Sequence, residues 1–192
     1  LAELYSLDSR VPIFRALKRL WATDEAGHPL LALLVALTRD PLLRASAPAV
    51  LSLRDGELLN REALVAAIRV AVGPRFNPAT VEKVARNSAS SWTQSGHLSG
   101  RTFKKRTRVQ ATPAAAALAL FLGYLQGLRG PGLFQTLWCE ALDASRETIA
   151  RLASLAAASG LLQFRAAGDA VESGFPDLLT REEFKVASHG TN

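Results

Sequence analysis

Cysteine occurs once in the 192 residues and methionine not at all. A lone thiol, Cys139, excludes an intrachain disulfide and any Cys-x-x-Cys metal knuckle, so nothing here requires an oxidising compartment. Long hydrophobic runs are missing too. The longest, Ala114 to Leu125, falls short of the roughly 20 residues that a membrane span needs. No basic stretch leading into an apolar run opens the sequence, which argues against a secretory signal. With 13 Gly and 9 Pro the chain is neither collagen-like nor a linker, and 48% hydrophobic residues exclude wholesale disorder. The expectation is a cytoplasmic globular protein, long enough to bury a core of its own and without a membrane partner.

Signatures of catalysis are equally scarce. His28, His97 and His189 are scattered, with neither an HExxH pair nor metal-ligand spacing. The glycines at 127, 130 and 132 surround Pro131 and mark a connection between helices; no GxxxxGK[ST], GxGxxG or GxSxG occurs. Cys139 lies between apolar stretches and reads as an inert buried thiol. No cofactor, metal ligand or catalytic residue is therefore expected.

What the chain does have is positive charge in one place. The net charge is +6. Arg75, Lys83, Arg86, Arg101, Lys104, Lys105, Arg106 and Arg108 are opposed in their window only by Glu82, a local excess of +7 that leaves the other 158 residues at −1. So concentrated a patch is the electrostatic footprint of a polyanion binder, because each phosphate neutralised releases counterions. A solvated basic face without a partner is the plainer alternative.

The pattern along the chain is mostly helical. Pro12 suits the first position of a helix to about Ala22, with Asp8 or Ser9 near its cap and Ile13, Phe14, Leu17, Leu20 and Trp21 on one face. Gly27, His28 and Pro29 break the chain before an all-apolar stretch, Leu30 to Leu37, that reads as a buried helix. Asp40-Pro41 and Ala47-Pro48 each start a short helical piece. After an Asp55-Gly56 turn, Asn60 caps a helix over 61–72 whose apolar repeat is Leu64, Ile68, Ala71 and Val72.

Asn77-Pro78 is a strong helix start, and Gly96 a stop. The core stripe of that helix is Val81, Val84, Ala85, Ser88 and Trp92. Its other stripe is Lys83, Arg86, Asn87, Ser90, Thr93 and Gln94, every one able to donate a hydrogen bond. A basic hairpin is predicted next. After a Ser99-Gly100 turn signal, Thr102, Lys104, Arg106 and Arg108 alternate with Phe103, Lys105, Thr107 and Val109. Polar helix, tight turn, basic hairpin is the order of a recognition helix and its wing. The helix would enter a major groove while the hairpin, with Arg101, holds the adjoining phosphates. His97 would assist phosphate binding.

Thr112-Pro113 begins a core helix over 114–128, and Leu133 to Leu142 reads as a further helix containing Trp138 and Cys139. Asp143 or Ser145 caps a helix with Ile149, Leu152, Leu155 and Ala156 on one face, ended by Ser159-Gly160. Strands over 161–166 and 170–175 follow around a Gly168-Asp169 turn, setting Leu162, Phe164, Val171 or Phe175 on the core or toward a partner. This second winged-helix ending is neutral, since Arg146, Arg151 and Arg165 balance Glu147, Asp169 and Glu172. The tail from about Lys185 to Asn192 should fray.

The helix VEKVARNSASSWTQS, the basic run RTFKKRTR and the ending TIARLASLAAASGLLQF…VESGFPDLL resemble, in layout more than in residues, the BrxA-type proteins of bacteriophage-exclusion (BREX) loci. The resemblance covers the chain from Asn77 onward. It implies a small, basic, largely helical DNA-binding protein of bacterial phage defence.

The expected fold is mainly α, a multi-helix bundle with winged-helix-like units and one or two small β-hairpins. Three segments are expected: an N-terminal helical region over 1–76, a recognition helix and wing over 77–112, and a C-terminal helical region over 113–192. The expected function is non-catalytic binding of double-stranded DNA. Other protein subunits are possible partners, and the alternative is an assembly subunit whose basic patch docks an acidic protein. RNA fits less well, because Phe103 is the only aromatic in the patch available for stacking on bases.

Overall fold

The computed structural model describes residues 11–168, 170–180 and 182–183. Asp8, Ser9, Asp169, His189 and the tail from Lys185 lie outside the described residues. The described residues form a mainly helical fold with two small antiparallel hairpins. The helices are α1 (Pro12–Trp21), α2 (His28–Arg39), α3 (Pro41–Leu51), α4 (Arg61–Val72), α5 (Pro78–Gln94), α6 (Pro113–Leu125), α7 (Leu137–Glu140) and α8 (Arg146–Ala158). The strands are β1 (Leu98–Ser99) paired with β2 (Lys105–Arg106), and β3 (Gln163–Ala167) paired with β4 (Ala170–Gly174).

The chain divides into two compact units, one of residues 36–109 and one of residues up to 35 together with those from 110 onward. The helices α3 and α4 belong to one unit with α5 and the β1–β2 hairpin, and apolar residues of all three helices share one core.

In the unit of residues 36–109, each helix is started by a side chain that answers otherwise unpaired backbone N–H groups. Asp40 Oδ1 accepts from Leu42 and Leu43 N–H at 2.8 and 3.1 Å. Asn60 Oδ1 accepts from Glu62 and Ala63 N–H, and Asn77 Oδ1 from Thr80 N–H at 2.8 Å. Leu64, Ile68 and Val72 of α4 pack against Val81, Ala85 and Ala89 of α5. Ala71 is exposed, so the apolar repeat of α4 is narrower than expected. Pro48 opens no helix of its own. It lies inside α3, where its missing N–H removes one bond from the helix without ending it.

Trp92 is fully buried, and its indole N–H donates to Ser46 Oγ at 2.8 Å; Ser46 in turn donates to Leu43 C=O. This chain ties α5 to α3 and satisfies a donor that would be costly to strand. Arg86 and Ser90 face solvent on the opposite side, as the helical period predicted.

The end of α5 aims the hairpin. Gly96 takes φ +87°, Gly96 N–H bonds Thr93 C=O, and His97 N–H bonds Trp92 C=O at 3.0 Å, the two bonds of a Schellman cap. His97 is thereby turned inward. Its ring is buried, meets Trp92 edge-on at 5.0 Å between centroids, and pairs through Nδ1 with Ser95 Oγ at 2.9 Å. The phosphate-binding role expected for His97 does not fit that position.

β2 is held on both sides. Leu98 pairs with Arg106 and Ser99 with Lys105 on one edge. On the other, Leu58 bridges Lys105, with Gly56 N–H to Arg106 C=O, Arg106 N–H to Glu57 C=O and Leu59 N–H to Lys104 C=O, each 2.8 Å. Helix, the single bridging residue Leu58, helix, helix, strand and returning strand thus follow one another in winged-helix-like order.

In the other unit, α6 is buried along nearly its whole length, from Ala114 to Tyr124, and packs against α1 and α8. α1 begins at Pro12 on an N-cap, Val11, that lacks a side-chain bond. The helix expected over 133–142 is instead a 3₁₀ turn, Gly130–Phe134, followed by the single turn α7. Thr136 separates the two: its hydroxyl accepts from Cys139 N–H at 3.2 Å and so starts the helix four residues late. Ser145, rather than Asp143, caps α8, and a second Schellman turn at Gly160 leads into β3. Phe175 is buried against Phe121 and Tyr124, and Leu162 is buried as well.

Candidate nucleic-acid interface

Four basic residues of the unit formed by residues 36–109, Arg61, Arg86, Arg101 and Lys104, line one groove. Between α5, the start of α4 and the hairpin lies a cleft of about 330 Å³ lined by Leu59, Leu64, Ala85 and Ala89 on its apolar side. Arg61, Arg86, Ser90, Arg101, Thr102 and Lys104 complete its lining.

Of the eleven residues expected at the interface, eight are exposed: Lys83, Arg86, Asn87, Ser90 and Gln94 on α5, and Arg101, Lys105 and Arg108 on or beside the hairpin. Lys83, Arg86, Arg101 and Lys105 form no ion pair among the described residues. Thr93 and Lys104 are half-buried and bonded to each other. Lys104 Nζ donates to Thr93 Oγ1 at 2.8 Å and to Gly100 C=O at 3.3 Å, fastening the hairpin to α5.

Arg106 is the correction. It was expected to grip phosphate and is instead 0% exposed. Its guanidinium donates to His97 C=O at 3.3 Å and to Thr107 C=O. The physical reason is the length of the strand. Residues 100–104 form the turn, so alternation runs only through Lys105 and Arg106, and pinning on both edges sends the second inward.

One contributor was missed. Arg61, at the first position of α4, reaches Glu82 on α5, Nη2 to Oε2 2.5 Å. Glu82 is the only carboxylate in the basic window, and it is answered from α4 rather than by Lys83, Arg86, Arg101 or Lys105. Nothing in the sequence links positions 21 residues apart on different helices except the lone acid amid bases.

The serines of α5 are partly accounted for by back-bonding: Ser91 donates to Asn87 C=O and Thr93 to Ala89 C=O. Ser90 makes no such bond among the described contacts and faces the cleft beside Arg86. The second hairpin is different in charge. Arg165 stands opposite Glu172 in the β3–β4 register, and these two are the only charged residues lining the groove beside α8.

No cluster of three or more His, Cys, Asp or Glu able to hold a metal forms among the described residues. Burial pushes the Cys139 thiol up to about 11, against a lowering contribution from the Thr136 hydroxyl, so it is protonated and unreactive near neutral pH. No helix of the described residues is long and apolar enough to cross a membrane. Comparison with models of known protein families, with curated proteins and with solved structures finds no match.

Proposed function

We propose that residues 36–109 bind double-stranded DNA without catalysis, with α5 in the major groove and the β1–β2 hairpin on the adjoining phosphate strand. The observation that carries this reading is the winged-helix-like order combined with four exposed cations, Lys83, Arg86, Arg101 and Lys105, that no carboxylate pairs among the described residues. Phosphate contacts would fix orientation, while Asn87, Ser90 and Gln94 present donors and acceptors to base edges. The neutral β3–β4 unit serves structure or a protein subunit. The resemblance to BrxA-type proteins supports a place in a bacterial phage-exclusion system, and hence in the cytoplasm.

The test is a titration of the protein against a labelled 20–30 base-pair duplex, a single strand of the same sequence and polyglutamate, at about 0.15 M salt. Duplex binding that falls in an Arg86→Ala/Arg101→Ala/Lys105→Ala variant of unchanged circular dichroism supports the proposal. Preference for polyglutamate over duplex, lost in the same variant, would make the patch a dock for an acidic protein.

A further inference from the structure

We infer that Phe103 is an unstacking wedge, a ring at the tip of the hairpin that enters the minor groove beside the α5 site and bends the duplex there. The inference rests on the DNA-binding reading above and adds to it a deformation of the nucleic acid.

Phe103 is 75% exposed, the most exposed aromatic residue among those described. A single apolar side chain on a surface is ordinary. Three features set this one apart. It sits within a cationic tip, with exposed Arg101 and Lys105 on either side along the chain. It is held in a turn too tight for a side chain at its start: Gly100 has φ +96°, and a Cβ there would lie 2.2 Å from Phe103 C=O. Finally, Lys104 ties that turn to α5 through Thr93 Oγ1 and Gly100 C=O, so the turn that carries the ring is held against the helix that would lie in the major groove.

A phenyl ring has no donor or acceptor for reading base edges. What it offers DNA is a flat apolar surface that slips between base pairs at a flexible step. Cations flanking it can hold the two phosphate strands that border a minor groove about 6 Å wide. Apolar wedges of this kind kink duplexes by roughly 20–90° toward the major groove, and pyrimidine–purine steps yield most easily. Charge complementarity on both sides of the ring selects a nucleic acid as its occupant.

The experiment uses the full chain and a duplex carrying a fluorophore pair at its ends and 2-aminopurine at a central TA step. Binding of the unmodified protein should shorten the end-to-end distance and raise 2-aminopurine emission. Phe103→Ala should abolish both signals and weaken affinity roughly 5- to 150-fold, the worth of one aromatic–base stack, while leaving the salt dependence unchanged. Phe103→Leu, which keeps an apolar wedge, should retain most of the bend. Duplex binding without bending, or bending that survives Phe103→Ala, overturns the wedge and leaves the DNA reading standing. Absence of duplex binding by the unmodified protein overturns both. Phe103-dependent binding to anionic phospholipid vesicles in place of duplex would assign the tip to a membrane surface instead.

Discussion

Two single residues separate roles that the sequence merges. Arg106 belongs to a run of bases yet is fully buried, bonded to carbonyls within its own hairpin. Arg106→Ala should therefore destabilise the fold by about 2–3 kcal/mol, through the cavity it leaves and the acceptors it strands. Urea unfolding measures this directly. Unchanged stability accompanied by lost duplex affinity would return Arg106 to the interface. Cys139 carries the pH dependence. Its thiol titrates at about 11 rather than the usual 9.0 because burial disfavours the thiolate. The folded state thus prefers the protonated form, so its contribution is complete below pH 9 and is lost as pH rises from 9 toward 11. Over that window Cys139→Ser, which does not titrate, should lose less stability than the unmodified chain by about 2–3 kcal/mol. Parallel stability curves for the two proteins would show that Cys139 is not desolvated as the structure has it.

At the scale of elements, the two hairpins share a plan and differ in charge. Each follows a helix closed by a Schellman turn, at Gly96 and at Gly160. β1–β2 carries the exposed Lys105, which forms no ion pair among the described residues, whereas Arg165 of β3 stands opposite Glu172 of β4. A neutral hairpin releases no counterions. Arg165→Ala should leave duplex affinity within about twofold, while Lys105→Ala costs up to about 1 kcal/mol, as a surface charge contact does. Fluorescence anisotropy decides between them, and a larger effect at Arg165 would move the interface to the β3–β4 unit. Helix starts were the most legible elements, because Asn60, Asn77, Thr112 and Ser145 are caps whose chemistry is local. Pro48 and Thr136 misled for the complementary reason. A proline tolerated mid-helix reads as a start, and a hydroxyl that breaks an apolar stretch leaves the hydrophobic period unchanged.

At the scale of the molecule, contacts between distant residues were the illegible part. The strand partner of the hairpin is Leu58, which bridges Lys105 from 47 residues away and carries no strand pattern of its own. That bridge turns Arg106 inward, and Arg61 answers Glu82 by the same kind of long-range meeting. Helical phase, by contrast, was readable from 3.6-residue periodicity: Trp92 is buried and Lys83, Arg86, Asn87, Ser90 and Gln94 are exposed as expected, with Thr93 alone of that stripe half-buried. The central claim is that exposed cations of α5 and the hairpin neutralise DNA phosphates, and the salt dependence of duplex affinity tests it most directly. Five exposed cations, Lys83, Arg86, Arg101, Lys105 and Arg108, predict a slope of log K against log salt of roughly −4 to −5, flattened by about 1.8 in an Arg101→Ala/Lys105→Ala variant. A slope near zero, or one that the double substitution leaves unchanged, would contradict the account.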